Sequence, residues 1–129
     1  MEPEHRIRIL SVDDHDLVRK GIAAILSTEP DLDLVAEANT SEEALRLHRE
    51  HRPDVTLMDL RLPDKSGIET TRLIQQEFPG AKIIALTSYD GDQDIYRALE
   101  AGVRGNLLKE MVHNEVIRAI RTVHAGKRF

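Results

Sequence analysis

Five short runs of aliphatic and β-branched residues, each separated from the next by a stretch of helical period, constrain this chain more than any other feature. The runs are Ile7 to Val12, Leu32 to Ala38, Val55 to Met58, Lys82 to Thr87 and Gly105 to Leu108. Their length and composition predict strands, and the unbroken apolar character of "VTLM" and "KIIALT" fits strands covered on both faces. Helices are expected between and after them. The first starts at Asp16, read as its cap, and ends before Glu29 and Pro30. The second opens on Thr40 and Glu43 at capping-box spacing. The third covers Gly67 to Phe78 and is stopped by Pro79 and Gly80, and the fourth runs from Asp92 to before Gly102. The fifth, Asn114 to Ala125, puts Val116, Ile120 and Val123 on one stripe and ends at Gly126. A helix between successive strands returns the chain to the same edge of the sheet, so the strands are parallel. The expected fold is a three-layer, doubly wound α/β domain with helices on both faces. Periodicity does not fix the strand order; 2-1-3-4-5 is the order chosen by analogy. At 129 residues the chain suits a single domain.

In such a sheet ligands sit outside the carboxyl ends of the strands, at the point where the strand order reverses. The residues that follow each strand therefore describe the site. Asp13 and Asp14 follow the first strand, Asp59 the third, Thr87, Ser88 and Tyr89 the fourth, and Lys109 the fifth. Asn39 and Thr40, after the second, read as turn and cap residues. Three carboxylates gathered from two strands repel by roughly 4 kcal/mol per pair at 4 Å and an effective dielectric near 20. Such a cluster calls for a proton or a cation. An all-oxygen set beside water suits a hard divalent ion, Mg²⁺ above all, held by carboxylates and phosphate oxygens. Lys109 and Thr87 supply the charge and the hydroxyl that an anion beside the metal would need. Any one of these residues alone is an ordinary turn or cap residue; their joint fall at strand carboxyl ends carries the argument. His15 reads as loop, and the other histidines, including His48 and His51, as solvated helix or turn residues.

Composition removes several function classes. There is no cysteine, so disulfides and thiolate metal sites are out. The net charge is −5 with basic residues scattered, which disfavours direct nucleic-acid binding, and aromatics at 3% disfavour base stacking. No run approaches the ~20 apolar residues of a membrane span, and "MEPEHRIR" lacks the apolar core of a signal peptide. A cytoplasmic protein without membrane attachment is the expectation.

The motifs "VDDHDLVRKGI", "PDVTLMDLRLPDKSGIE", "ALTS" and "GNLLK" together resemble the receiver domain of two-component response regulators, across essentially the whole chain. "DDH…LVR" and "LMDLRLP" further resemble the subgroup that carries a C-terminal helix-turn-helix DNA-binding domain. The resemblance implies a flavodoxin-like (βα)5 fold and a regulatory phosphoacceptor that promotes only its own phosphorylation and dephosphorylation. Asp59 would take a phosphoryl group from a sensor histidine kinase. Asp14, Asp59 and the main-chain carbonyl of Arg61 would bind Mg²⁺, with Asp13 acting through water. Lys109 and Thr87 would contact the phosphoryl group, Ser88 would leave room for it, and Arg61 and Tyr89 would border it and screen attacking water. Phosphorylation would control homodimerisation or an output domain, and DNA would be bound only through that domain. The receiver would span residues 1–129, with 126–129 the start of a linker; a naturally single-domain receiver is the second reading. One position departs from the family: Asn106 stands where receivers commonly carry a Tyr or Phe that swaps between exposed and buried, so another group, Tyr89 for example, is expected to report the movement of Thr87.

An enzyme reading competes. "DHDLV" matches the Asp-x-Asp pattern of haloacid-dehalogenase-like phosphatases, with Asp14 as nucleophile, Asp16 as acid and "GDQD" at 91–94 as the later acidic motif. The lysine then comes after that motif instead of before it, and Asp59 has no role.

Overall fold

A computed structural model describes residues 6–88 and 92–129, with side chains for 6–88 and 95–129. Its strands are β1 (Ile7–Val12), β2 (Leu32–Ala38), β3 (Val55–Asp59), β4 (Ile83–Thr87) and β5 (Gly105–Leu108). Its helices are α1 (Asp16–Leu26), α2 (Ser41–His51), α3 (Gly67–Glu77), α4 (Asp92–Ala101) and α5 (Val112–His124). All neighbouring strands pair in parallel, in the order β2-β1-β3-β4-β5. The doubly wound fold and the strand order both agree with expectation.

The strands are apolar throughout because alternate residues enter two different cores. Ile7 and Ile9 of β1, Val55 and Leu57 of β3, and Ile84 and Leu86 of β4 pack with Ile22 and Leu26 of α1 and with Val116, Ile120 and Val123 of α5. Leu10, Val12, Met58, Ile83 and Ala85 point the other way, onto Ala44 of α2, Ile68 and Ile74 of α3 and Ala98 of α4. Helices α1 and α5 therefore cover one face, and α2, α3 and α4 the other. Each fully buried Ile or Leu is worth roughly 1.5–3 kcal/mol, and the period-2 assignment fixes the register, since a one-residue slip would exchange the two faces.

Several local expectations change. The cap of α1 is His15, not Asp16; Asp16 is already helical, and its carboxylate pairs with Arg19 and Lys20. Helix α5 begins at Val112, after a 3₁₀ turn over Lys109–Met111, two residues earlier than its sequence pattern suggests. The capping box of α2 forms in part: Glu43 N–H donates to Thr40 Oγ1, while Glu43 Oε1 accepts from Asn39 N–H rather than from that of Thr40. His48 is not solvated. It is buried between α2 and α3, with its ring 4.8 Å from that of Phe78, because its place one turn beyond Ala44 puts it on the inner stripe of α2. His51 is half-buried.

After α5 the chain turns at Gly126, whose φ of +91 favours glycine. It then folds back onto the sheet edge. Phe129 N–H donates to the Arg104 carbonyl, and the Arg118 guanidinium lies 4.8 Å above the Phe129 ring. Phe129 thus packs beside Gly105 at the start of β5, while residues 126–128 stay exposed. No helix among the described residues is long and apolar enough to cross a membrane.

Candidate functional site

The register of the sheet brings the polar strand ends to one level. Ser11 and Val12 pair with Leu57 and Met58, Asp59 with Leu86, and Thr87 with Leu108. Asp13, Asp59, Thr87 and Lys109 therefore emerge side by side along the carboxyl edge. β1 and β3 are neighbours here although β2 lies between them in sequence, which makes this the switch point.

Asp13 is fully buried and Asp59 is 2% exposed, whereas Asp14 reaches solvent. Lys109 Nζ lies 3.0 Å from Asp59 Oδ2 and 3.5 Å from Asp13 Oδ2. Two buried acids thus share one cation. Burial is the largest influence on the Asp59 carboxyl and raises its pKa above the ordinary range; the Arg61 N–H opposes this, Asp13 adds to it, and Lys109 opposes it. The net direction is upward. Among the described side chains, Asp13 Oδ2 has no hydrogen-bond donor, an expensive state for a buried carboxylate oxygen.

Backbone geometry holds each acid in place. Asp13 Oδ1 accepts the N–H of His15, a turn closed by the side chain two residues back, and the Asp13 carbonyl accepts from the Arg19 guanidinium. Asp59 Oδ1 accepts the Arg61 N–H at 3.0 Å. The loop after β3 closes tightly: Gly67 N–H donates to Leu60 O at 2.8 Å, and Arg61 bridges Ser66. A Cβ on Gly67 would lie 2.1 Å from the Asp59 carbonyl oxygen, so only glycine allows this approach. Asp64, at the tip of the loop, accepts the N–H groups of Ser41 and Glu42 and ties the loop to the start of α2. Those bonds pull the Asp64 pKa below the usual carboxylate range.

Asp59, Arg61, Thr87, Ser88 and Lys109 line one recess. The buried Thr87 donates from Oγ1 to Asn106 Oδ1 at 3.3 Å. Asn106 is therefore a direct partner of Thr87 across β4 and β5. Tyr89 lies outside the described residues, as does Gly91 of the "GDQD" segment, and the side chains of 92–94 are likewise undescribed. Asp16, the acid that the phosphatase reading requires, is 70% exposed and turned to Arg19 and Lys20.

Sequence reasoning missed His15. Its Nδ1 lies 2.8 Å from Asp13 Oδ1, 3.2 Å from Asp14 Oδ1 and 3.9 Å from Asp59 Oδ2. The signal available was adjacency to the two acids, which a loop assignment discounted. Arg19, Gly67 and Asp64 were missed as well, because a tertiary partner cannot be read from one segment. The acidic pocket, with its undonated Asp13 oxygen and one ligand atom from each of Asp13, Asp14, His15 and Asp59 within 4.8 Å of one another, is compatible with a divalent metal ion.

Buried paired acids and a lysine at the switch point of a doubly wound sheet are the features of a receiver, and the chain belongs to the response regulator receiver domain family, whose profile matches residues 9–121. It is similar to the transcriptional regulatory protein LnrK of Bacillus subtilis, 40% identical over 93% of this chain and 54% of that protein. It is also similar to the response regulator protein VraR of Staphylococcus aureus, 40% identical over 94% of this chain and 58% of that protein. Among solved structures, the two-component response regulator of the LuxR family from Aurantimonas sp. superposes with a TM-score of 0.90 at 41% identity, over 95% of this chain and 88% of the other. The chain spans little more than half the length of the two curated relatives. The phosphatase reading finds no support in these likenesses.

Proposed function

We propose that this receiver takes a phosphoryl group from a sensor histidine kinase onto the Asp59 carboxylate and uses it to control an output domain beyond this chain. The observation that carries this is the buried Asp59 carboxylate, with Lys109 Nζ 3.0 Å from Oδ2 and the Arg61 N–H on Oδ1. An Asp59 oxygen attacks phosphorus in line, the P–N bond of the phosphohistidine breaks, and an acyl phosphate forms. Phosphoryl transfer asks for positioning and charge neutralisation and little else from bystanders. Lys109 neutralises charge on the transferred group. Thr87 turns from Asn106 to donate to a phosphoryl oxygen, which makes Asn106 a partner that registers the change. Ser88 leaves the recess open, while Arg61 borders it and limits attack by water.

Asp14, Asp59 and the Arg61 carbonyl would hold Mg²⁺, and Asp13 would act through water; the ion would supply positive charge beside the transferred phosphoryl group. Homodimerisation on phosphorylation and DNA binding through a C-terminal domain are the expected outputs, in transcription regulation. The cytoplasm is the compartment in which a kinase would meet it.

The test is intact mass after incubation with acetyl phosphate. The wild-type chain gains one phosphoryl group only when Mg²⁺ is present, and Asp59→Asn gains none. An unchanged gain in Asp59→Asn contradicts the assignment.

A further inference from the structure

His15 sits where a bystander would not be expected. Its backbone N–H is fixed to Asp13 Oδ1, and its ring is turned back so that the one Nδ1 atom lies 2.8, 3.2 and 3.9 Å from oxygens of Asp13, Asp14 and Asp59. A turn histidine 59% exposed could satisfy that nitrogen with water. It lies among the acids instead. Donors on a coordination shell of ~2.1 Å are about 3.0 Å apart at right angles and about 4.2 Å apart when opposite. The separations to Asp14 and Asp59, 3.2 and 3.9 Å, fall in that range, while the 2.8 Å contact to Asp13 is a hydrogen bond. A second observation points to a cation in this pocket: the other oxygen of the fully buried Asp13 carboxylate, Oδ2, has no hydrogen-bond donor among the described side chains and faces the Lys109 ammonium at 3.5 Å.

We infer that His15 Nδ1 is an additional protein donor to the ion held by Asp14 and Asp59, which makes this pocket prefer first-row divalent ions with an affinity for imidazole, from Mn²⁺ and Co²⁺ to Zn²⁺, over Mg²⁺. The inference rests on the cation site proposed above. An imidazole nitrogen adds little to Mg²⁺, which is hard and keeps its waters. It adds more to Co²⁺ or Zn²⁺, whose affinities for nitrogen donors rise along the first row. The ring donates as the neutral tautomer with its proton on Nε2. Without an ion the same nitrogen carries the proton and donates it to the carboxylates.

The test is calorimetric titration of the metal-free chain with Mg²⁺ and, separately, Co²⁺, for the wild type, His15→Ala, Asp14→Asn and Asp59→Asn. His15→Ala is expected to lower Co²⁺ affinity by about tenfold or more and to leave Mg²⁺ affinity almost unchanged. Equal losses for both ions, no loss, or a gain would overturn the inference; a gain would make His15 a plug that the ion displaces. The aspartate variants separate the two levels of the argument. If they weaken both ions while His15→Ala leaves the preference unmoved, the donor role alone falls. If they leave both ions bound as in the wild type, the cation site falls with it. Co²⁺ held at other histidines is recognised by its survival in Asp14→Asn.

Discussion

Replacing Gly67 with alanine adds one methyl group at the junction that places the phosphoacceptor, and its cost can be worked from the structure. An ideal Cβ there lies 2.1 Å from the Asp59 carbonyl oxygen, 2.6 Å from Leu60 Cα and 2.8 Å from the Asp59 carbonyl carbon. All three atoms are backbone, so no side chain can swing aside. Gly67 has no positive φ, so the penalty is steric and not conformational. Relief requires the start of α3 to move away from the end of β3 by about 1 Å or more, given ordinary contacts of roughly 3.5 Å. Overpacking of this kind costs about 1–3 kcal/mol, and the Gly67 N–H bond to Leu60 O adds about 1 kcal/mol when it is lost. The expected destabilisation is about 3 kcal/mol, a large part of the ~5–15 kcal/mol that holds a domain folded, and a fall in Tm of roughly 10 °C. Urea denaturation followed by circular dichroism measures it. Because the displaced atoms belong to Asp59 and Leu60, phosphoryl uptake from acetyl phosphate should slow in the molecules that remain folded. Gly21→Ala is the control: nothing lies within 4 Å of its Cβ, and it sits inside α1, so a gain of about 0.5–1 kcal/mol is expected. A Gly67→Ala protein as stable as the wild type, with unaltered uptake, would refute the reasoning.

Other perturbations probe separate parts of the account. Asn106→Ala removes the acceptor of the Thr87 hydroxyl; with about 1 kcal/mol of competing bond gone, the affinity for beryllofluoride should rise about fivefold, and an unchanged affinity would remove Asn106 from the switch. Burial lowers the pKa of His48, with Glu77 opposing and Arg52 assisting. The unfolded chain therefore binds more protons than the folded one below the ordinary histidine value, so stability is fully present above pH ~6.5 and falls as pH drops toward the folded pKa. His48→Gln should flatten that slope in urea titrations between pH 7.5 and about 5, whereas an identical slope would place its origin elsewhere. Asp64→Ala deprives two N–H groups at the start of α2 of their acceptor. It should cost about 1 kcal/mol, measured by thermal unfolding, and a neutral result would mean that water replaces the carboxylate at no cost.

The layer structure was legible because both faces of the sheet are covered, which makes the strands unbroken apolar runs and leaves the helices to carry the 3.6-residue period. Val116, Ile120 and Val123 identified the buried stripe of α5 on that basis alone. Boundaries were less legible where local and tertiary signals compete: Asp16 looks like a cap by residue type, yet Asp13 Oδ1 fixes the turn and shifts the cap to His15. Of the residues expected at the site, the structure brings Asp13, Asp14, Asp59, Thr87, Ser88 and Lys109 to one edge of the sheet, since strand-end polarity is a strong signal when strands are parallel. His48 shows the opposite case. A histidine in a charged helix reads as solvated, and only the packing of α2 on α3 reveals that it is inside. Gly67 and Asp64 act through residues distant in sequence, and Asn106 through Thr87 on the neighbouring strand, so the site's support was invisible until the register was known.

The central claim is that Asp59, and no other acid of the pocket, becomes the acyl phosphate. Reduction of the phosphorylated chain with borohydride converts an aspartyl phosphate to homoserine, and peptide mass spectrometry then locates it. The account predicts homoserine at position 59 alone; homoserine at position 14 or 13, with Asp59 intact, would contradict it.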